Sequence, residues 1–145
     1  MAQKQQLASC LVDGRLFGIN VAAVQEVMSG LELTPVPLAP PIVGGLLNLR
    51  GHIVTAIDVR RCLELAERPA DQRPVNLILR TDEECTSLLV DAVGDVLDVD
   101  ENDFECPPET LRGRSRELIR GAYKLDCRLL LVLDIEEMLR GIGGV

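Results

Sequence analysis

Arg50 is a single cation between two apolar runs in the stretch GGLLNLRGHIVTAID, residues 44–58. Arginine carries a rigid, planar fork of N–H donors that can bind a carboxylate, or two carbonyl groups, at once. The glycines nearby, Gly45 and Gly51, permit positive φ angles or the close approach of another backbone. Two interpretations stay open on this evidence. Either Arg50 forms an internal salt bridge, or a tight turn presents it to a partner as an interface anchor.

The other reactive residue types form no recognisable catalytic pattern. His52 is the single histidine, which excludes a two-histidine metal site, and it begins a predicted strand, where a structural or surface role is expected. The acidic residues gather in turns, and residues 98–103 lack the glycine and terminal glutamate of a calcium-binding EF-hand loop. No phosphate-binding or dinucleotide-binding glycine pattern is present. We therefore expect no enzymatic activity, no cofactor and no metal.

Charge and composition argue against two classes of partner. The chain of 145 residues has a formal net charge of −8, which opposes binding to phosphate backbones and to anionic lipid. Phe17, Phe104 and Tyr123 are its only aromatic residues, so it lacks the stacking platforms of single-stranded nucleic acid binders. It shows neither a signal peptide nor an apolar run of membrane-spanning length. We expect a cytoplasmic protein that binds no nucleic acid and does not insert into the membrane.

Five cysteines lie singly along the chain, at positions 10, 62, 85, 106 and 127. An odd number without a close pair argues against both a disulfide framework and a zinc site. We expect each cysteine to be a small, buried or half-buried hydrophobic residue in a reducing compartment.

Short apolar runs separated by turn residues predict strands rather than long helices. Asp13-Gly14 is a strong hairpin signal between LASCLV and RLFGI, and further strands are predicted at LELTPV, HIVTAI, VNLILR, CTSLLV, VGDVLDV, ELIRGAY and RLLLVL. Asn20 is expected to cap a short helix, VAAVQEVM, while Asp58 and Asp134 cap helical turns at VRRCLEL and IEEMLRG. Residues 100–117 are expected to form a long irregular connection.

A faint internal repeat indicates two similar halves. Four positions recur at a constant offset of 76 residues, namely Gly45, Leu49, Asp58 and Leu63 as Gly121, Leu125, Asp134 and Leu139. This internal repeat favours a mainly β protein with two small barrels side by side. The expected organisation is a single domain over residues 5–141. It is expected to have two lobes, at about 15–66 and about 75–133, that are joined by a linker at 67–74. The terminal segments are expected to exchange between the lobes.

Four segments, in order, resemble the CheW family of bacterial chemotaxis coupling proteins. They are FGINVAAVQEV, LTPVPLAPPIVGGLLNLRGHIVTAIDVRRCL, LLVDAVGDVLDV and IRGAYKLDCRLLLVLDIEEML. The second segment is the most specific, because Pro37, Gly45, Asp58 and the run Asn48-Leu49-Arg50-Gly51 fall as that family has them. The resemblance extends from about residue 7 to residue 141, which is nearly the whole chain.

This resemblance implies a non-enzymatic scaffold built from two SH3-like five-stranded β-barrels with short helices. Such proteins link the cytoplasmic tip of methyl-accepting chemoreceptors to the regulatory domain of a CheA-type histidine kinase, at membrane-associated receptor arrays. The receptor tip lies in an apolar groove between the barrels. By matching position, the resemblance implies the partner-binding residues Val24, Glu26, Gly45, Arg50 and Gly51.

Two other functions stay open at this stage. One is an adaptor of a chemosensory-like pathway that controls non-flagellar behaviour or second-messenger synthesis. The other, from a different class, is a β-barrel that binds a small ligand, which ligand-dependent stabilisation would reveal. Thr55 departs from the family, which commonly has proline there, and it restores a backbone N–H donor within a predicted strand.

Overall fold

Strands make up most of the protein. A computed structural model describes residues 4–81, 84–107, 109, 111, 113–126 and 128–140. The described strands are β1 (Lys4–Val12), β2 (Arg15–Asn20), β3 (Val24–Ser29), β4 (Val43–Leu49), β5 (His52–Asp58), β6 (Val75–Thr81), β7 (Glu84–Val90), β8 (Ala92–Asp100), β9 (Phe104–Glu105), β10 (Ile119–Lys124) and β11 (Leu129–Leu133). The described α-helices are α1 (Val59–Cys62), α2 (Arg114–Leu118) and α3 (Ile135–Arg140), and single 3₁₀ turns form at Val21–Ala23 and Glu101–Asp103.

The described strands are arranged in two sheets. A five-stranded sheet has the order β3-β6-β7-β5-β4, and a six-stranded sheet has the order β8-β1-β2-β11-β10-β9. β5 runs parallel to β7, and β11 runs parallel to β2. The expected mainly β class with two β lobes is therefore confirmed.

An apolar core packs between the two sheets. The six-stranded sheet contributes Phe17 and Ile19, and the five-stranded sheet contributes Leu77 and Leu88, all of them fully buried. Ile78, next to Leu77, points to the opposite face of its strand and belongs to a second core within the five-stranded half. A third core, around Leu7, Val99, Tyr123 and Leu130, fills the six-stranded half.

The sheets do not divide where the sequence places the lobe boundary. β6 and β7, which fall within the expected second lobe, pair with the strands of the first. β2, at the start of the expected first lobe, lies in the six-stranded sheet between β1 and β11. Residues 67–74 connect α1 to β6, and since β5 and β6 belong to the same sheet, this segment is a connection within one sheet.

The helix predicted at VAAVQEVM is wrong beyond its first turn. Asn20 does cap it, because its Oδ1 accepts a hydrogen bond of 2.9 Å from the Ala22 N–H. The helical turn ends at Ala23, however, and β3 begins with the next residue. β3 pairs antiparallel with β6, Val27 lying opposite Leu77. Strand pairing therefore overrides the helical spacing of these β-branched residues, which are good strand formers.

Two further stretches differ from expectation. The strand predicted at LELTPV is reduced to a single bridge between Thr34 and Leu46. The stretch 100–117, expected to be irregular, contains β9 and most of α2, and α2 also takes the first residues of the strand predicted at ELIRGAY. Residues 82–83, between the strands predicted at VNLILR and CTSLLV, and Cys127 lie outside the described residues.

The local turn and cap predictions are confirmed. Asp13 and Gly14 have φ angles of 52° and 75°, as the hairpin between β1 and β2 requires. Asp58 Oδ1 accepts a hydrogen bond of 3.0 Å from the Arg60 N–H at the start of α1. Asp134 accepts one of 3.1 Å from the Glu137 N–H at the start of α3.

The described cysteines follow the expected burial with one exception. Cys10 and Cys62 are buried and Cys85 is half-buried, but Cys106 is exposed just after the edge strand β9. The pKa of the Cys10 thiol is raised to about 12, mainly by burial and in part by the nearby Asp91 carboxylate.

Candidate functional site

The β4–β5 hairpin carries Arg50 at its tip. Leu49 and His52 lie directly opposite each other, and the two residues between them, Arg50 and Gly51, have φ angles of 51° and 87°. Positive φ at both central residues is the type I′ geometry of two-residue hairpins. The Asn48 side chain holds this turn, since its Oδ1 accepts a hydrogen bond of 2.8 Å from the Gly51 N–H. The backbone thus places Arg50 in a conformation that residues other than glycine rarely adopt.

Arg50 and Glu26 form a two-pronged salt bridge. The Arg50 Nη1 and Nη2 atoms lie 2.7 and 2.8 Å from Glu26 Oε1 and Oε2. This is the fork-on-fork geometry that makes arginine–carboxylate pairs specific as well as strong. The Arg50 side chain nevertheless stays 66% exposed, while that of Glu26 is 23% exposed. Arg50 is therefore internally paired, as the first interpretation expects, and its side chain is also open to solvent.

The salt bridge joins opposite edges of the five-stranded sheet. Glu26 lies in β3 and Arg50 follows β4, and these strands are at the two ends of the strand order. In a flat sheet β3 would be about 14–19 Å from the β4–β5 hairpin, at the usual spacing between strands. The contact of 2.7 Å shows that the sheet curls until its two edges meet.

The ion pair stabilises its own charges. The hydrogen bond from Arg50 lowers the pKa of the Glu26 carboxyl below its ordinary value of 4.5. The same contact with Glu26 raises the pKa of the Arg50 guanidinium. Both groups are consequently ionised across the neutral pH range.

Exposed apolar side chains lie close to the ion pair along the chain. Val27, next to Glu26, is 47% exposed, and Ile53, three residues after Arg50, is 67% exposed. Val27 and Glu26 are successive residues of β3 and therefore point to opposite faces of that strand, while Ile53 is the second residue of β5. The exposed guanidinium of Arg50 is suited to contact with a polar group on a partner protein.

Gly45 and Val24 have different surroundings from the hairpin tip. Gly45 lies in β4 at a β-bulge and packs against the backbone of Thr34. Val24 is half-buried, pairs with Leu79, and packs against the core between the sheets. The structure thus brings Arg50, Gly51 and Glu26 together, and places Val24 and Gly45 further along the strands that carry them.

A buried cluster of charges is a feature that sequence reasoning missed. It consists of Asp58, Arg60, Arg68 and Asp91, whose side chains are at most 10% exposed, and we call it the Asp91 cluster. Its members come from three separate segments of the chain. The sequence signal that could have pointed to it is weak, namely an aspartate directly after the apolar run LLV and an arginine inside the apolar turn VRRCLEL.

Among the described residues, no group of three or more histidine, cysteine, aspartate or glutamate side chains is placed to hold a metal ion. In the same part of the chain, no helix has the length and apolar character needed to cross a membrane. His52 is exposed at the start of β5, in keeping with the surface role expected for it.

Comparison with known proteins identifies relatives along almost the full length. The chemotaxis protein CheW of Bacillus subtilis is 31% identical over 130 residues, which cover 89% of this chain and 83% of that protein. The chemotaxis protein CheW of Treponema pallidum is 28% identical over 137 residues, covering 92% and 81%. The crystal structure of the scaffolding protein TtCheW from Thermoanaerobacter tengcongensis matches this structure with a TM-score of 0.85 at 24% identity. The match covers 99% of this chain and 97% of that one, so the two proteins share a fold.

The family assignment agrees with these individual relatives. The CheW-like domain matches residues 6–142, which include both sheets, the Arg50–Glu26 pair and the Asp91 cluster. This chain therefore belongs to the CheW-like domain family.

Proposed function

We propose that this protein is a non-enzymatic chemotaxis adaptor that couples chemoreceptor tips to the regulatory domain of a CheA-type histidine kinase. The observation that carries the proposal is membership of the CheW-like family across residues 6–142. The similar proteins from Bacillus subtilis and Treponema pallidum are chemotaxis proteins, and the protein of the same fold from Thermoanaerobacter tengcongensis is a scaffolding protein.

The receptor-facing surface in this proposal centres on Arg50, Gly51 and Glu26, with Val24 and Gly45 in supporting positions. A guanidinium has five N–H donors, and Glu26 takes two of them. The remaining donors can bind a carboxylate or carbonyl of a partner. Because Glu26 already holds the side chain in one geometry, docking costs little further conformational entropy.

The apolar part of this surface would be supplied by Ile53, which is exposed three residues after Arg50. A chemoreceptor tip is a helical structure, and an amphipathic helix binds through aliphatic contacts together with a few polar anchors that set its register. In this arrangement Ile53 contributes apolar contact area, and Arg50 sets the register of the bound helix.

The proposed role also sets a location. The adaptor would work in the cytoplasm and be held at membrane-associated receptor arrays by its protein partners. Its formal charge of −8 opposes direct binding to anionic lipid, so recruitment through partners is the favoured route.

A binding titration tests the proposal. Purified kinase regulatory domain and receptor tip are titrated separately into wild-type protein, the Arg50→Ala variant and the Arg120→Ala variant. Arg120 is an exposed arginine of β10 in the other sheet, and is therefore a matched control. Wild type and Arg120→Ala are expected to bind both partners. Arg50→Ala is expected to keep its affinity for the kinase domain and to lose about tenfold or more in affinity for the receptor tip, as an interface anchor would.

The possible results distinguish a failure of the proposed adaptor function from a failure of the proposed receptor-facing surface. A wild-type protein that binds neither partner contradicts the adaptor function. Equal receptor binding by wild type and Arg50→Ala leaves the function in place and removes Arg50 from the receptor surface.

A further inference from the structure

The carboxylate of Asp91 accepts four hydrogen bonds at the junction between β7 and β8. Its Oδ1 lies 3.1 Å from Arg60 Nε and 3.1 Å from Arg68 Nε. Its Oδ2 lies 2.5 Å from Arg60 Nη2 and 2.7 Å from the backbone nitrogen of Asp13. Four acceptor positions are the usual capacity of a carboxylate, so this side chain is fully used inside the protein.

These donors come from both sheets. Asp13 is in the turn between β1 and β2 of the six-stranded sheet, and the Asp91 backbone N–H also donates to Leu11 O of β1 at 2.9 Å. Arg60 is in α1, directly after β5 of the five-stranded sheet. Asp91 itself is the residue between β7 of one sheet and β8 of the other. The Asp91 cluster therefore lies where the chain passes from one sheet to the other.

The cluster also fixes the connection between α1 and β6. Arg60 Nη1 donates to the carbonyls of Ala66 and Glu67 at 3.0 and 3.3 Å. Arg68 reaches Leu89 O at 3.4 Å and lies 3.6 Å from Asp58. The segment that looks like a flexible linker in the sequence is thus held against the sheet junction by two buried arginines.

Stability alone does not explain why charges occupy this position. A buried ion pair pays a desolvation penalty that often cancels its attraction, and well-packed apolar side chains of similar size serve stability as well or better. Ion pairs differ from apolar contacts in being directional, since they are favourable in one geometry only. The rest of the contact between the sheets is apolar, around Phe17, Ile19, Leu77 and Leu88, and apolar packing specifies orientation less sharply.

We propose that Asp91 is a positioning residue that sets the relative orientation of the two sheets. The consequence for coupling rests on the proposed function. The Arg50 surface is on the five-stranded sheet, so its position relative to any partner contact on the six-stranded sheet is defined only if that orientation is fixed. Without Asp91 each surface remains intact, but a signal passes less well from one to the other.

Residual dipolar couplings of the full-length protein test the orientation directly. The variant is Asp91→Asn, and the control is Leu77→Val, which trims the aliphatic contact between the sheets and leaves the Asp91 cluster complete. In wild type and Leu77→Val, the residual dipolar couplings of both sheets are expected to fit a single alignment tensor with a single relative orientation of the two sheets. In Asp91→Asn each sheet is expected to fit by itself, with a changed or averaged orientation between them.

Two results would overturn the proposal. One is a folded Asp91→Asn protein with the wild-type orientation. The other is a Leu77→Val protein with the same change as Asp91→Asn. If Asp91→Asn does not fold, the double variant Arg60→Met, Asp91→Leu takes its place, because it replaces the Arg60–Asp91 ion pair by an apolar pair and leaves Arg68 with Asp58, 3.6 Å away, as its ionic partner. Wild-type orientation in that folded double variant equally rejects the role of Asp91.

A functional measurement then examines coupling. Asp91→Asn is expected to bind the receptor tip as wild type does, while receptor-dependent control of kinase activity falls roughly tenfold, within the usual range for coupling between two sites. Unimpaired control in a variant with altered orientation contradicts the coupling consequence. If the wild-type protein binds neither partner, the proposed function fails, and the dipolar couplings still decide the role of Asp91.

Discussion

Gly45 lies directly against the carbonyl group of Thr34. A β-carbon on Gly45 would be 2.9 Å from the Thr34 oxygen and 3.2 Å from the Leu33 Cβ. At the same place Thr34 and Leu46 exchange two backbone hydrogen bonds of 2.8 Å each. The absence of a side chain on Gly45 thus lets the segment after β3 cover the edge of β4, which would otherwise present unpaired backbone groups.

Replacing Gly45 by alanine is expected to destabilise the protein by about 1–3 kcal/mol, because it combines backbone strain with a steric clash. The φ angle of Gly45 is 148°. The atom nearest to an added β-carbon is the backbone oxygen of Thr34, which cannot rotate away as a flexible side chain could. Urea denaturation measures the loss. Gly30→Ala is the matched control, since Gly30 also has positive φ, 74°, but has nothing within 4 Å of an added β-carbon. An equal loss in both variants would show that crowding by Thr34 is unimportant.

The Arg50–Glu26 pair predicts the titration of a single carboxyl group. The hydrogen bond from Arg50 lowers the pKa of Glu26 below 4.5, so its midpoint, followed by carbon NMR of the side-chain carboxyl, is expected below that value. In Arg50→Ala the midpoint is expected to rise, because the ionised form loses its donors. The stabilisation from this pair is present above the unfolded-state pKa and is lost as the pH falls through the folded-state pKa. A midpoint that is the same in both proteins would mean that the pair does not persist in solution.

Removal of Asp91 is expected to be far more costly than removal of an exposed charge. Asp91→Ala leaves Arg60 and Arg68 buried without their carboxylate, and breaking a buried pair in this way costs about 3–5 kcal/mol. The exposed pair of Lys124 and Glu105, 3.6 Å apart, provides the comparison, and Lys124→Ala is expected to cost less than about 1 kcal/mol. Chemical denaturation of both variants checks the difference. Similar losses would show that the Asp91 cluster is weakly formed.

Acid sensitivity follows from the same carboxylate. Burial alone would raise the pKa of Asp91, but hydrogen bonds from Arg60, the Asp13 N–H and Arg68 lower it below its ordinary value of 3.8. Its contribution to stability is therefore complete above that value and is lost as the pH falls through the lowered folded-state pKa. The stability difference between wild type and Asp91→Asn is expected to be constant between about pH 5 and 7 and to shrink below about pH 4. A difference that grows in acid would contradict this assignment.

Thiol labelling distinguishes the cysteines by their surroundings. Cys106 is exposed, whereas Cys10 is buried and its pKa is raised to about 12. Because the thiolate is the reactive form, a maleimide at neutral pH is expected to modify Cys106 quickly and Cys10 only after unfolding. Peptide mass spectrometry reports the two sites separately, and denaturant supplies the unfolded control. Rapid labelling of Cys10 in native buffer would show that the core between the sheets opens readily.

Features set by neighbouring residues were predictable from the sequence. The Asp13-Gly14 hairpin and the caps at Asp58 and Asp134 depend on contacts within three residues, and all are present. The residues of the ion pair, Glu26 and Arg50, were named through the family resemblance. Their contact with each other was not foreseen, because it depends on the curl of a whole sheet.

Features set by distant strands were not predictable. The valines after Ala23 have helical spacing, yet they form β3 because β6 offers a pairing edge 50 residues later, as in the pair Val27–Leu77. The Asp91 cluster joins Asp91 to Arg60 and to the backbone of Asp13, which are 31 and 78 residues away. No local pattern in a single sequence indicates which distant residues will come into contact.

The parallel pairing of β2 with β11 has a consequence for biosynthesis. Leu16 lies beside Leu130, so β2 gains one of its two neighbours only after β11 has emerged from the ribosome. The five-stranded sheet, by contrast, draws all its strands from one continuous stretch, 24–90. Long-range pairings of this kind close slowly, and domains generally acquire structure from the first part synthesised. The five-stranded sheet is therefore expected to fold first, while the β1–β2 hairpin waits for the synthesis of β10 and β11 to complete the second sheet.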